Sequence, residues 1–159
     1  MTTRHPLRGA AAIAGLGVTP QGKVYGSSPL GFAVDAVSLA LADAGLARTD
    51  LDGLLLNPGL AWHDQGMGSF QLQQAMGLRN LRLSATMNLG GATACAMIQH
   101  ACQAIAAGLC RTVACVFSDA PLKPPKAKGQ ADAGGGAAAA YGFGRGLEAA
   151  YGQFGVNAM

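Results

Sequence analysis

The chain has 159 residues, of which 50% are hydrophobic and 12% are charged. This composition gives one domain with a sizeable core and excludes an intrinsically disordered protein. The formal charge of +3 comes from eleven basic residues spread along the sequence, with a single cluster at Lys123, Lys126 and Lys128. Because the sequence has neither a basic stripe nor many aromatic residues for base stacking, we expect no nucleic-acid binding.

The apolar runs are too short for a membrane span. Asp35, Asp43 or Gln99 interrupts each of the longest runs before it reaches about 20 residues. The N-terminal sequence lacks a signal-peptide pattern with a clear cleavage site, although residues 10–18 are apolar. We therefore expect a soluble, cytoplasmic protein.

Strand and helix signals alternate along the first 120 residues. Residues 10–18 form an apolar run that contains two glycines and precedes Pro20, which predicts a buried strand. Ser28 and Pro29 then supply an N-cap and a first helical residue, and Gly45 suits the position after the helix. The other predicted elements are strands at 51–56, 81–87 and 112–117, a short helix at 71–76, and a longer helix from a turn at Asn88 to about Gly108. This order predicts an α/β fold with helices on the faces of a sheet.

Residues 121–159 differ in character from the rest. Prolines and lysines come first, then a run of glycine and alanine at 134–140, and then a weakly helical pattern from Tyr141 to Phe154 that glycines interrupt. We therefore divide the chain into an α/β domain at 1–120 and a loop region with a partial helix at 121–159.

A few further residues could support chemistry, but each has a simpler interpretation. The chain has four cysteines, Cys95, Cys102, Cys110 and Cys115, whose spacing matches no zinc or redox pattern. We expect three of the four to be small buried hydrophobic residues. Gly15-Leu16-Gly17 lacks the third glycine of a dinucleotide-binding loop. The remaining candidates are also typical of solvated loops, helix surfaces and turns: His63, His100, Ser118 and Asp119.

Several short strings follow the order found in one protein family. They are Ala11-Ala12-Ile13-Ala14-Gly15, the helix at Ser28-Pro29, residues 40–45 before Leu51-Asp52-Gly53, the turn at Asn88, residues 103–108 before Val113-Ala114, and Tyr151-Gly152-Gln153-Phe154-Gly155. In this ordered set the chain resembles the thiolase superfamily, most nearly the sterol-carrier-protein type of thiolase. The resemblance implies a thiolase-like αβαβα layered fold of two similar halves, each with a mixed sheet flanked by helices. This chain corresponds to the N-terminal half, with part of the loop region, and stops before the C-terminal half.

The resemblance also aligns the family's nucleophile motif, Asn-x-x-Cys-x-Ser/Thr-Gly, with residues 88–94. A cysteine there is stabilised as a thiolate by the helix N-terminus, so it can attack a thioester. Asn88 and Thr93 match the motif, whereas Gly91 occupies the cysteine position and cannot form an acyl-enzyme. By resemblance, the thioester-binding residues are Asn88, Gly90, Gly91 and Thr93, while the catalytic residues are unknown.

Two other interpretations of this stretch stay open. Gly90 and Gly91 also suit a plain strand-to-helix turn, because glycine tolerates positive φ. Cys95 lies four residues further along the helix, about 6 Å along its axis. We expect the helix face that carries Cys95 to be packed against other residues. Cys95 could replace the missing thiol only if it reached the turn from that face.

The resemblance implies an enzyme that cleaves or forms a carbon-carbon bond in an acyl-CoA without a cysteine acyl-enzyme, as in thiolase-like aldolases that use retro-aldol chemistry. It implies no cofactor beyond the coenzyme A of the substrate, no metal, a homodimer, and a zinc-ribbon/OB-fold partner protein. The alternatives are an acetyl-CoA acyltransferase homologue with a degenerate motif, or a non-catalytic CoA-binding or assembly subunit. Because the family's histidine and second cysteine belong to the second half, we expect this chain alone to be inactive and to expose an apolar face.

Overall fold

The computed structural model describes residues 7–22, 24–59, 62 and 67–122. These residues form, in chain order, α1 (Pro29–Ala44), a short 3₁₀ helix (Arg48–Asp50), β1 (Gly53–Pro58), α2 (Gly68–Met76), β2 (Leu83–Thr86), α3 (Thr93–Ala106) and β3 (Val113–Ser118). The alternation of strands and helices confirms the predicted α/β class.

The three described strands form a parallel sheet in the order β2-β1-β3. Strand β1 is central: Gly53–Leu56 pair with β2, and the whole of β1 pairs with β3. Parallel neighbours need crossover connections, and α2 and α3 supply them. The family resemblance implied a mixed sheet, whereas the three described strands all run in the same direction.

The core lies on both faces of β1. Leu54, Leu55 and Leu56 are all 0% exposed. Leu54 and Leu56 pack with α1 and α2 on one face, whereas Leu55 packs with Met97 and Ala101 of α3 on the other. A strand covered on both faces is continuously apolar rather than alternating. Each fully buried leucine contributes about 1.5–3 kcal/mol to stability through the removal of its side chain from water.

Helix α1 begins and ends where the sequence predicts. The Ser28 side chain accepts a hydrogen bond from the Gly31 N–H at 3.0 Å, and Gly45 has a left-handed φ of 67° after the last turn. Helix α2 contains the predicted helical residues 71–76 and ends before Gly77, as predicted; it begins at Gly68, and its N-cap residue provides no side-chain bond. The cap comes instead from β2, where Thr86 Oγ1 accepts the Ser69 N–H at 3.2 Å.

The predicted strand at residues 10–18 is wrong, because this segment pairs with none of the described strands. The segment lies along α1 instead. A Cβ atom at Gly15 would come within 2.3 Å of a backbone oxygen of α1, and one at Gly17 within 1.9 Å of another. The Leu16 N–H donates to Asp43 Oδ2 at 2.9 Å. The two glycines thus allow a close approach to the helix, which the strand signal in the sequence does not distinguish from sheet pairing.

Asp52 joins the amino ends of all three strands. Its carboxylate accepts the Arg111 N–H at 2.9 Å from each oxygen and the Thr112 N–H at 2.9 Å. Its backbone carbonyl accepts the Arg82 N–H at 2.7 Å. Hydrogen bonds to a charged acceptor are stronger than neutral ones, so this residue holds the starts of β2 and β3 against β1.

Several predictions fall on residues outside the described ranges. They concern His63, the cluster of lysines, and the loop and partial helix after residue 122. Among the helices that the structure does describe, the longest has 16 residues, and none combines the length and apolarity needed to cross a membrane.

Candidate functional site

The turn at residues 88–93 joins the carboxyl end of β2 to α3. Helices α1 and α2 begin near the same edge of the sheet: Ser118 Oγ at the end of β3 donates to the Pro29 carbonyl at 2.6 Å, and Thr86 at the end of β2 bonds Ser69. In open α/β sheets, ligands bind in crevices at the carboxyl ends of the strands. The candidate site is therefore this turn, at the edge where the family resemblance places it.

Hydrogen bonds within the turn fix its first half. Asn88 Oδ1 accepts the Gly90 N–H at 3.2 Å, which is the local side-chain bond typical of asparagine in turns. Gly90 has a φ of 59°, in the left-handed region where glycine avoids the steric cost of a Cβ atom. Asn88 is exposed, so its side chain both shapes the turn and remains accessible to a ligand.

Thr93 fixes the second half of the turn from a fully buried position. Its hydroxyl accepts the Leu89 N–H at 2.8 Å and donates to the Gly90 carbonyl at 2.7 Å, and its own N–H reaches the same carbonyl at 3.1 Å. The side chain is thus occupied inside the turn. Its contribution to a binding site would be to set the shape of the turn, because direct ligand contact would require breaking these bonds.

Gly91 lies in open space at the start of α3. A Cβ atom there would have no heavy atom within 4 Å beyond its chain neighbours, and its φ lies outside the left-handed region. The backbone therefore requires glycine at Gly90 but does not require it at Gly91. The alternative interpretation, that both glycines are needed for a plain turn, therefore holds for Gly90. The turn does not explain why residue 91 is a glycine.

The start of α3 can interact with an electron-rich group. The first N–H groups of a helix lack intrahelical acceptors and carry the positive end of the helix dipole. Ala92, the N-cap residue, provides no side-chain bond to them. A carbonyl oxygen or an anion could accept hydrogen bonds from these N–H groups, as in an oxyanion hole. Gly91 itself carries no side chain that could form a covalent bond with a ligand at this position.

The cysteines are more exposed than predicted. Cys110 is buried, Cys102 is half-buried, and Cys95 and Cys115 are exposed, so the prediction of three buried cysteines is wrong. The expected packed face around Cys95 is wrong too, because Cys95 is exposed and the neighbouring Ile98 is 45% exposed. Burial and, secondarily, the Asp52 carboxylate raise the pKa of the Cys110 thiol. Cys115 is partly accessible, but the atoms around its thiol remove much of the surrounding water. This desolvation and, secondarily, the neighbouring Cys102 raise the pKa of Cys115 to about 11.

The other candidate residues have structural surroundings. His100 is exposed on α3, as predicted, and Ser118 is buried with its hydroxyl bonded to α1. Asp119 lies against Gly59, where an added Cβ would be 2.0 Å from the carboxylate carbon, and it accepts the N–H of the next residue at 2.8 Å. In the part of the chain that the structure describes, no three His, Cys, Asp or Glu side chains are grouped to hold a metal ion.

Proteins with similar sequences are aldolases and lyases. The chain is 37% identical over 109 residues to a protein of Thermomonospora curvata named steroid side-chain-cleaving aldolase, a match covering 69% of this chain and 27% of the relative. It is 39% identical over 107 residues to the 17-hydroxy-3-oxo-4-pregnene-20-carboxyl-CoA lyase of Mycobacterium tuberculosis, covering 67% of this chain and 26% of the relative.

A solved structure gives the same result. The structure named Ltp2-ChsH2(DUF35) aldolase matches with 36% identity and a TM-score of 0.57, covering 65% of this chain and 26% of that chain. No family model matches the sequence. The chain spans about a quarter of the length of these relatives. Its described part is therefore similar, in sequence and in fold, to one section of an aldolase.

Proposed function

We propose that this chain is part of a thiolase-like lyase that cleaves a carbon-carbon bond in an acyl-CoA thioester by a retro-aldol reaction, without a cysteine acyl-enzyme. The identities of 37% and 39% to proteins named as an aldolase and a CoA-thioester lyase carry this proposal. Gly91 supports its cysteine-free form, because the turn leaves room for a side chain and the sequence supplies none.

The retro-aldol reaction needs a base and a stabiliser for negative charge. The base removes the proton of the β-hydroxyl group, the bond between the α and β carbons breaks, and the β carbon becomes a carbonyl. The electron pair of that bond forms a thioester enolate, whose α carbon then takes up a proton. Because charge develops on the thioester oxygen, donors fixed near it lower the barrier, and no thiolate takes part.

The turn has a defined part in this scheme. The N–H groups at the start of α3 and the exposed side chain of Asn88 hold the thioester carbonyl, and Gly91 leaves space for a bulky acyl group. Gly90 and Thr93 maintain the shape of the turn. Since residues 88–94 contain no titratable side chain, we assign proton transfer to groups outside the described residues, in a further part of the polypeptide or in a partner. The name Ltp2-ChsH2 indicates that the matching structure contains two proteins.

The test is turnover of a steroid whose side chain is a β-hydroxyacyl-CoA thioester. The enzyme preparation is the full chain assembled with a zinc-ribbon/OB-fold partner. Mass spectrometry should show a ketone and a shortened acyl-CoA, with no acyl adduct on the protein. Cys95→Ala is the matched control, and we expect it to keep full activity because its thiol takes no part. Release of free CoA, or loss of activity in Cys95→Ala, would instead favour an acyltransferase.

One observation favours a second function, a non-catalytic CoA-binding or assembly subunit. The turn offers hydrogen-bond donors but no acid or base. Under this alternative, calorimetry would detect binding of the acyl-CoA to the assembled protein, and no product would appear.

The lyase proposal also includes a homodimer and a cytoplasmic location. Light scattering of the purified chain tests whether it forms a dimer.

A further inference from the structure

Asn57 is a polar residue at the carboxyl end of the most deeply buried strand. It follows three leucines that are 0% exposed, although asparagine is depleted in strands. Asn57 is half-buried, and no hydrogen bond between described residues involves its carboxamide group. None of the described side-chain N or O atoms is both buried and unpaired, so this carboxamide is accessible. Packing and pairing within the described part of the chain therefore do not explain Asn57, and its polar group can bind a ligand.

The Asn57 side chain points to the face of the sheet that α3 covers. Successive side chains of a strand alternate between the two faces. Leu55 packs against Met97 of α3, so Asn57, two residues further along β1, lies on the same face. The neighbouring strand agrees with this direction, because Met87 donates its N–H to the Leu56 carbonyl at 2.8 Å and also packs on the α3 side.

Asn57 also lies level with the start of α3. Two residues along β1 from Leu55 cover about 6.6 Å, and one helical turn back from Met97 to Thr93 covers about 6 Å in the same direction. The turn at residues 88–93 starts from the end of β2, the neighbouring strand, about 4.8 Å from β1. The carboxamide of Asn57 is therefore beside the candidate site, next to the turn.

We propose that Asn57 is a substrate-binding residue of this site, and that its Nδ2 group donates a hydrogen bond to the β oxygen of the acyl group. This oxygen belongs to the hydroxyl before cleavage and to the ketone after it. The inference rests on the proposed function for the identity of the ligand. Only three carbon atoms link the thioester oxygen to the β oxygen, so a ligand whose thioester oxygen lies at the turn places its β oxygen close to the adjacent strand, where Asn57 lies.

The hydrogen bond has its largest effect while the carbon-carbon bond breaks. As the base removes the hydroxyl proton, negative charge develops on the β oxygen, and this charge disappears when the ketone forms. A donor fixed beside the oxygen bonds to its charged form more strongly than to the neutral hydroxyl, so it lowers the barrier. Asn57 keeps its own protons throughout, and the base remains a separate group outside the described residues.

Two analogues that cannot be cleaved test this binding without the chemistry. In both, a methylene group replaces the thioester carbonyl of the steroid acyl-CoA, so no enolate can form. One analogue keeps the β-hydroxyl, and the other has a hydrogen atom in its place. Calorimetry with the full chain assembled with its zinc-ribbon/OB-fold partner should show about tenfold tighter binding of the hydroxyl compound, or about 1.4 kcal/mol.

Substitutions of Asn57 should remove this preference for the hydroxyl compound. Asn57→Ala deletes the donor, and Asn57→Asp keeps the shape of the side chain but presents only acceptors. Asn80→Ala is the matched control, because Asn80 is exposed before the amino end of β2, at the opposite edge of the sheet, and this variant should keep the preference. Thermal unfolding of each variant should be unchanged, because the carboxamide of Asn57 has no partner among the described residues.

Turnover of the cleavable steroid thioester gives a second measurement. Both Asn57 variants should lower kcat by about 100-fold, as for the loss of one donor to a developing oxyanion, whereas KM should change by no more than about tenfold. Asn80→Ala should leave both constants unchanged.

The two proposals fail in different ways. Equal weakening of both analogues by Asn57→Ala would indicate a structural role and overturn the inference, and so would a wild-type protein that does not prefer the hydroxyl compound. A preference that depends on Asn57, without any retro-aldol products, would refute the proposed function and leave the inference standing. Products formed by Asn57→Asp at the wild-type kcat would support the function and overturn the inference.

Discussion

Gly90 and Gly91 provide a matched pair for a stability measurement, because they are adjacent and both exposed but differ in backbone conformation. Gly90→Ala places a Cβ atom on a residue with a φ of 59°, a conformation that costs an L-residue about 1–2 kcal/mol. Gly91→Ala adds the same atom where no neighbour lies within 4 Å and φ is ordinary. There the substitution should be neutral or stabilise by about 0.4–1 kcal/mol, since alanine has fewer unfolded conformations.

Urea unfolding followed by circular dichroism measures both effects, and the difference between the variants should be about 1–3 kcal/mol. The slope of the transition should stay unchanged, which shows that the extent of unfolding is the same. Gly91→Cys should be about as stable as Gly91→Ala, because the space around the added Cβ atom is open. Equal destabilisation by Gly90→Ala and Gly91→Ala would refute the separation of the two glycines, and with it the argument that Gly91 is not a turn requirement.

Three further results are expected. Thr93→Val keeps the side-chain shape but leaves the Leu89 N–H without its acceptor, so urea titrations should show a loss of about 1–3 kcal/mol. Gly17→Ala brings a methyl group within 1.9 Å of an α1 carbonyl, so limited proteolysis should cut the N-terminal segment while β1 stays protected. Burial and the neighbouring Cys102 raise the pKa of Cys115 to about 11, and only the thiolate reacts, so iodoacetamide should label it slowly at pH 8 and faster towards pH 11. Labelling at pH 8 as fast as that of free cysteine in solution would contradict this.

Local signals in the sequence predicted the elements whose causes are local. Helix α1 has its cap, its first proline and its final glycine within its own segment, and the leucines of β1 form one uninterrupted apolar run. The start of α2 has no such local signal, because its cap, Thr86, is supplied from β2, seventeen residues away from Ser69. Residues 10–18 look like a strand because an apolar run with glycines suits pairing in a sheet and contact with a helix equally well.

The candidate site shows the same limit. The sequence predicted a turn between a strand and a helix at residues 88–93, and the structure confirms it. That this turn lacks a cysteine of the related enzymes stays a prediction of the family resemblance. The sequence could not separate Gly90 from Gly91, which differ only in φ and in the space around them. It also could not show that the hydroxyl of Thr93 is used inside the turn. The exposure of Cys95 and Cys115 depends on what packs against α3 and β3, and no local pattern records that.

The central position of β1 has a consequence for biosynthesis. Its partner β3 begins at Val113, paired with Gly53, so 60 residues of translation separate the two. At about 5–20 residues per second, roughly 3–12 s of translation pass before β3 is available to pair with the second edge of β1. Throughout that interval the backbone groups on this edge of β1, from Gly53 to Pro58, lack the strand that pairs with them in the finished fold and are open to chaperones and to neighbouring nascent chains.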